Sequence, residues 1–255
     1  MAAFTVDLNA DLGETVDGVA TADDASMFPL ISSANIACGG HAGDDASMRA
    51  SVAHSREHGV AIGAHPAYPD RAGFGRTRHH LSSSDLRASI LGQLTRLVAA
   101  GADVRYVKPH GALYNEIVHD ATQAADVVAA VTELSARLGR ALPVLGLHGE
   151  IQRAAAAVGL PFFSEAFLDR GYQADGTLVP RGAPGDLLHD PAEVARRAVE
   201  MVVTGSVTAL DGSLVQIHPA SLCVHGDSPA AVEMARAVRA ALTDAGVVIR
   251  APWLR

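Results

Sequence analysis

Oxygen-bearing side chains are interleaved with apolar ones in the first apolar segment of this sequence. Asp7, Asn9 and Asp11 alternate with the apolar Leu8 and Leu12. In an extended strand such alternating residues point to one side, so three polar groups can converge there. Acids inside a core strand are costly unless they are used, which favours a functional role over a solvated strand face.

Imidazoles and a lysine follow the next apolar runs. His41 stands after a Gly-Gly pair, and His65 comes just before a loop rich in proline and glycine. Lys108 and His110 alternate around Pro109, so an extended backbone places both on one face. Histidine suits acid–base chemistry or metal ligation, and lysine suits carboxylate or phosphate binding. Each residue alone also fits a packing, capping or surface role, but their agreement favours a shared site.

Groups that recognise carboxylates appear in the second half of the chain. Glu165 ends the sixth apolar run, and Arg170 and Arg181 follow it. His225 ends the seventh run. A guanidinium group is suited to binding a carboxylate, although surface salt bridging is the plain alternative for either arginine.

Short apolar runs alternate with helical patterns along the chain. Such alternation implies parallel strands with helices outside, and seven or eight units favour a closed barrel. We predict a single α/β domain over residues 1–255, a TIM-like barrel, with an open doubly wound sheet as the alternative. The predicted strands are 4–8, 34–37, 60–64, 104–107, 144–147, 162–165, 222–225 and 247–249. Active sites of such barrels lie at the C-terminal strand ends, so the polar groups should meet there.

Helix and turn signals fit this alternation. Asp44 is a predicted N-cap, and Ser82 opens a predicted helix that runs to Gly101. A last helix is predicted over 229–245, with Asp227 as a candidate cap. Asp211-Gly212 between two extended segments predicts a β-hairpin.

Composition and charge exclude several classes of protein. The formal net charge of −8 argues against general binding to nucleic acid or to an anionic membrane. Two cysteines make no disulfide framework, and no basic leader or long uncharged apolar stretch is evident. We therefore expect a cytoplasmic protein. The sequence also lacks a phosphate-binding loop, a dinucleotide fingerprint and a serine-hydrolase elbow.

Several motifs together resemble the LamB/YcsF family, in order and over nearly the whole chain. The matching stretches include Asp7–Glu14, Ser33–Asp44, Ala61–Pro66, Val107–Asn115 and Ser221–Asp227. The resemblance implies a seven-stranded variant of the TIM barrel, similar to glycoside hydrolase and deacetylase barrels. It also implies the role of the A subunit in an ATP-dependent 5-oxoprolinase. Such an enzyme opens 5-oxo-L-proline to L-glutamate, and its other components are subunits B and C.

Roles can be assigned within this implied reaction. The predicted catalytic residues are Asp11, His65, Lys108, His110 and Glu165. The predicted substrate-binding residues are Asp7, Asn9, Asn35, His41, Tyr114, Arg170, Arg181 and His225. Lys108 with either arginine would hold a carboxylate or phosphate. Because related deacetylase barrels use Asp/His metal sites, a divalent ion at Asp11, His41 or His65 is also considered. ATP is a substrate of the complex, and its binding site is not located by the sequence.

Two other functions stay open at this stage. One is a stand-alone metal-dependent amidohydrolase or sugar deacetylase, which needs no partner or ATP. The other is a non-catalytic subunit that delivers substrate or stabilises subunits B and C. Homo-oligomerisation is compatible with either. The number of titratable groups argues against a purely structural role.

Overall fold

Parallel strands joined by helices form the framework of the computed structural model, which describes residues 4–226 and 230–253. The strands are β1 (Thr5–Leu12), β2 (Thr15–Val16), β3 (Val19–Ala20), β4 (Ser33–Ala37), β5 (Ala61–His65), β6 (Val104–Val107), β7 (Val144–Gly146), β8 (Phe162–Phe167), β9 (Ser206–Thr208), β10 (Leu214–Gln216), β11 (Ser221–His225) and β12 (Val248–Ile249). The helices are α1 (Asp24–Met27), α2 (Asp45–His58), α3 (Ser83–Ala99), α4 (Gly111–Glu116), α5 (Ala121–Leu138), α6 (Glu150–Ala157), α7 (Pro191–Thr204) and α8 (Ala231–Asp244), with a 3₁₀ turn at Phe28–Leu30.

Seven strands close into a parallel barrel. Their order is β1, β4, β5, β6, β7, β8 and β11, and β11 pairs in parallel with β1 to close the ring. In this closing pair, Asp7 lies opposite Ser221 and Asp11 lies opposite His225. The prediction of a seven-stranded TIM-like barrel is therefore confirmed.

The last strand in the sequence does not close the barrel. The predicted strand 247–249 is observed as β12, but it pairs with the beginning of β1, where Thr5 lies opposite Val248. Closure falls instead to β11. The short β9 and β10 form an antiparallel pair around Asp211-Gly212, which confirms the predicted hairpin.

The alternation in β1 separates an apolar layer from a polar interior. Leu8 and Leu12 are fully buried in the main hydrophobic core. Asp7 and Asn9 are equally buried but make hydrogen bonds to residues of other barrel strands. Side chains of alternate residues in a barrel strand point inward and outward in turn, so the even positions pack outward and the odd positions fill the barrel.

Several predicted boundaries need correction. β1 runs to Leu12 rather than Leu8, so Asp11 lies within the strand, and β8 runs to Phe167, so Glu165 also lies within a strand. The sequence pattern identified neither α4 nor α1, because both are too short to show a helical period.

The predicted helix caps are largely confirmed. Asp44 caps α2 in a capping box with Ser47, and Ser82 caps α3. The last helix is observed from Ala231. Its predicted start at Pro229 and the candidate cap Asp227 lie outside the described residues.

Within residues 4–226 and 230–253, no helix has both the length and the apolar character needed to cross a bilayer.

Candidate active site

A cavity of about 420 Å³ opens at the C-terminal ends of the barrel strands. Eight of the predicted residues line it: Asp11, His65, Lys108, His110, Tyr114, Arg170, Arg181 and His225. The other five predicted residues are buried and lie next to this lining: Asp7, Asn9, Asn35, His41 and Glu165. The barrel therefore brings the predicted residues together, as lining and as support.

Lys108 joins two carboxylates at the floor of the cavity. Its Nζ lies 2.9 Å from Asp11 Oδ1 and 2.9 Å from Glu165 Oε1, and it is the only lysine in the sequence. Burial lowers the pKa of Lys108, but Asp11 and Glu165 outweigh burial and raise it well above its usual range. Burial raises the pKa of Asp11, but His65 and Lys108 hold it well below its usual range. The site thus keeps a buried ammonium between carboxylates.

Two amides organise this ion-paired group. Asn35 Nδ2 donates to Asn9 Oδ1 and to Asp11 Oδ1, both at 2.7 Å. Asn9 Nδ2 donates to Glu165 Oε1 at 2.8 Å, and the Tyr106 hydroxyl donates to Asn35 Oδ1 at 2.5 Å. These directional bonds fix which carboxylate oxygen faces Lys108.

Asp7 lies deeper in the barrel. Ser32 and Ser33 donate to its Oδ1, each at 2.6 Å, and Ser221 donates to its Oδ2 at 2.5 Å. Burial nevertheless raises the pKa of Asp7 to about 6. Asp7 is therefore a support for the layer above it rather than a group within reach of the cavity.

Three histidines and Glu14 form a second cluster beside the first. His65 Nε2 and His110 Nδ1 lie 2.9 Å apart, and His65 Nε2 lies 3.3 Å from Asp11 Oδ2. The ring of His41 stacks on that of His110 at 3.7 Å, and His41 Nε2 lies 2.9 Å from Glu14 Oε1. Burial lowers the pKa of His41 and of His110 well below the usual range, so both rings are neutral at neutral pH. Neutral imidazoles can accept protons.

This histidine cluster can hold a metal ion. One ligand atom from each of Glu14, His41, His65 and His110 lies within 4.8 Å of the others. The set predicted from sequence, Asp11 with His41 and His65, overlaps this group only in its two histidines. Asp11 instead falls into a different group, with Cys223 and His225.

His225 forms the opposite wall of the cavity. Its Nδ1 lies 2.8 Å from Asp169 Oδ1, and its ring stacks on Phe167. Burial lowers the pKa of His225, but Asp169 outweighs burial and raises it. Arg170 contributes to the wall with a guanidinium that donates to the backbone oxygens of Val179 and Asp186. Arg170 therefore fastens the loop that carries the exposed Arg181.

Four residues of the site were not assigned from the sequence: Glu14, Tyr106, Asp169 and Cys223. Signals for them exist, since Glu14 and Asp169 follow strands as the assigned residues do. Tyr106 stands two residues before Lys108, and Cys223 stands two before His225, so each shares a strand face with an assigned residue. Cys223 Sγ lies 3.2 Å from Lys108 Nζ.

The closed parallel barrel and the titratable groups at its C-terminal mouth define a TIM-barrel-like protein with an enzyme-type site. The chain belongs to the LamB/YcsF family, whose model matches residues 6–253.

Named relatives agree with this assignment over almost their full length. The 5-oxoprolinase A subunit of Paracidovorax citrulli is 51% identical, with 96% of this chain and 98% of the relative covered. The 5-oxoprolinase A subunit of Cutibacterium acnes is 49% identical, with 97% and 98% covered. The crystal structure of a lactam utilization protein from Thermus thermophilus is 43% identical, with 97% and 99% covered and a TM-score of 0.90.

Proposed function

We propose that this chain is the A subunit of a 5-oxoprolinase that opens 5-oxo-L-proline to L-glutamate, coupled to ATP hydrolysis and assembled with subunits B and C. The names of the relatives at about half identity support the substrate class and the subunit role. The observation that carries the proposal is the cavity whose floor joins Asp11, Lys108 and Glu165 beside neutral histidines.

Lactam opening sets two chemical demands on the site. Water adds to the ring carbonyl carbon, the carbon–nitrogen bond breaks, and the ring nitrogen leaves as an amine after taking a proton. An amide is a poor electrophile, so transfer of the γ-phosphoryl group of ATP to the amide oxygen, with ADP leaving, activates the carbon. Breaking the carbon–nitrogen bond then leaves an acyl phosphate, and its hydrolysis releases phosphate and L-glutamate. A base must take a proton from the attacking water, and an acid must donate a proton to the leaving ring nitrogen.

We assign these steps to the groups that face the cavity. Asp11 lines the cavity as an ionised carboxylate and accepts the water proton, and His65 lies beside it. His225, whose pKa Asp169 raises, serves as the proton donor on the opposite wall. The exposed Arg181 binds the substrate carboxylate.

Positioning falls to the buried groups. Lys108 directs its ammonium at Asp11 and Glu165, so it organises carboxylates instead of binding the substrate's own. Asn35 orients Asp11, Asn9 orients Glu165, and Tyr114 donates to Glu165 Oε2 at 2.9 Å. A divalent ion held in the histidine cluster would supply a Lewis acid that polarises the ring carbonyl.

The proposal is tested by measuring L-glutamate formed from 5-oxo-L-proline with purified components. The chain together with subunits B and C and ATP should give glutamate and ADP. Omission of this chain or of ATP should abolish the product. Glutamate formation at an unchanged rate without this chain would contradict the proposal.

The same assay separates the two alternative functions. A stand-alone amidohydrolase or sugar deacetylase would turn over an amide substrate without ATP or partners. A non-catalytic subunit would tolerate substitutions at the cavity floor and change only assembly or substrate affinity. Either result would replace the proposed role.

A further inference from the structure

His65 and His110 face each other through one ring nitrogen each. His65 Nδ1 lies 2.7 Å from the backbone oxygen of Lys108, and His110 Nε2 lies 3.0 Å from the backbone oxygen of Phe74. A carbonyl oxygen only accepts, so each of these two nitrogens carries a proton. In the neutral form of both rings, the remaining nitrogens, His65 Nε2 and His110 Nδ1, present lone pairs to each other across 2.9 Å.

Carboxylate oxygens add to this concentration of acceptors. Glu14 Oε1 lies 3.5 Å from His110 Nδ1, and Asp11 Oδ2 lies 3.3 Å from His65 Nε2. The four side chains are buried, with exposures between 1% and 7%. Lone pairs that face each other in a buried site repel one another unless an electron-pair acceptor lies among them.

We propose that His65 Nε2, His110 Nδ1 and Glu14 Oε1 bind one divalent transition-metal ion of the zinc class. Bonds of about 2.1 Å give ligand–ligand edges of roughly 3.0 Å in an octahedron and roughly 3.4 Å in a tetrahedron. The observed edges from His110 Nδ1, 2.9 Å to His65 and 3.5 Å to Glu14, match these values. Two histidines and one glutamate are also a ligand set of catalytic zinc sites that keep an open position.

Ring orientation decides which histidines act as ligands. A ligating imidazole holds the ion in its own ring plane, so two ligands to one ion need planes that intersect at it. The planes of His65 and His110 cross at 84°, which allows this. Those of His41 and His110 are parallel within 4° at 3.7 Å, so His41 does not share the ion with His110. His41 instead holds Glu14 through its Nε2.

The groups around the three ligands are those that metal sites require. Backbone oxygens of Lys108 and Phe74 fix the protonated nitrogen of each ligating ring, and His41 fixes the carboxylate. His65 and His110 also line the cavity, so the open position faces the substrate space. The inference deepens the proposed function and rests on it for the role of the ion, but not for its binding.

Metal titration of the full-length, tag-free chain tests the inference without substrate, ATP or partners. After treatment with a chelator, the chain should bind one equivalent of Zn²⁺, and Co²⁺ should give the visible absorption of a protein-bound ion. Glu14→Gln and His110→Ala should each weaken binding by at least about tenfold. The control is the double variant His54→Gln with His58→Gln, which removes the exposed metal-capable group on α2 and should change nothing.

Two results would overturn the inference. One is binding of no more than traces of metal by the wild-type chain, which would mean that a proton shared by the two rings relieves their contact. The other is loss of the ion in the α2 control with retention in Glu14→Gln.

X-ray absorption of the zinc-loaded wild-type chain gives a result even if a ligand variant fails to fold. It should show two imidazole ligands and one carboxylate at about 2.0–2.2 Å, and a spectrum without imidazole would contradict the site. Ion binding without glutamate formation would leave the site standing and remove the lactam function. Glutamate formation by a chain that binds no ion would contradict the metal site and leave the proposed lactam function standing.

Discussion

Asp7 shows how one buried carboxyl group couples the stability of the barrel to pH. Three serine hydroxyls donate to it, yet burial raises its pKa from 3.8 to about 6. Above pH 6 the folded chain therefore holds an ionised carboxylate with no cation among the hydrogen-bond partners described for it.

The contribution of Asp7 to the free energy of unfolding should fall as pH rises from about 4 to about 6. The folded state holds the Asp7 proton more tightly than the unfolded state, so stability is full below pH 4 and is lost through pH 6. The difference between the two pKa values corresponds to about 3 kcal/mol. Urea unfolding of wild type and Asp7→Asn across this range measures it, because the variant lacks the titration. Parallel pH profiles for the two proteins would contradict this account of Asp7.

Lys108 should matter for stability as well as for the site. Lys108→Met leaves the carboxylates of Asp11 and Glu165 buried without their shared cation, which costs about 3–5 kcal/mol. Arg105→Met on the same strand is the matched control, because Arg105 makes an exposed ion pair with Asp103 worth less than about 1 kcal/mol. Chemical unfolding of both variants makes the comparison, and equal losses of stability would argue against the buried network.

At the scale of elements, the loop between β5 and α3 packs closely against the histidine cluster at a glycine. Gly75 has a φ of +66°, and a Cβ there would come within 2.7 Å of His41 Cβ and 3.0 Å of His110 Cδ2. The loop also supplies the Phe74 oxygen that fixes His110. Close approach of this backbone to the stacked rings is therefore part of the site.

Gly75→Ala should reduce activity by more than the backbone strain of an alanine at positive φ can explain. Gly139→Ala is the matched control, because Gly139 has the same φ of +66° and open space around it. The control should lose about 1 kcal/mol of stability and keep its activity. Gly75→Ala should lose in addition most of the glutamate-forming activity in the assembled enzyme. Equal activities in the two variants would show that the ring stack does not depend on this contact.

Element types were predictable from the sequence, but several lengths were not. Alternation in β1 indicated one polar face, yet an acid at Asp11 looked like a loop residue until its partners Asn35 and Lys108 were known. Those partners come from distant strands, so a local pattern cannot show that they neutralise the acid. The same reason explains why Glu165 was placed at a strand end. Glu14 was missed as a site residue because its contacts with His41 and His110 exist only after the barrel closes.

At the scale of the whole molecule, barrel closure is what assembles the site. Pairing of β11 with β1 brings His225 beside Asp11, although more than 200 residues separate them along the chain. The sequence predicted a barrel from the number of strand–helix units, and the confirmed order of seven strands explains why the polar ends converge. The sequence did not predict that β12 would pair with the start of β1 instead of closing the ring, since a strand of two residues carries no signal of its register.

The chain covers its relatives almost end to end, so the proposed division of labour concerns whole subunits. The groups that we propose for water activation and carboxylate binding line the cavity, whereas the sequence contains no recognised phosphate-binding loop. We therefore expect the phosphoryl transfer step to need subunits B and C.

The most direct test of the central claim is the turnover rate of the reconstituted enzyme carrying His65→Ala in this chain. His65 lines the cavity and contacts both Asp11 and His110, so its loss disturbs the proposed base, Asp11, and the ring beside it. We predict that the three subunits still assemble and that glutamate formation falls by at least about 100-fold, the smaller end of general acid–base contributions. Assembly with a wild-type turnover rate would contradict the claim that this barrel mouth performs the chemistry.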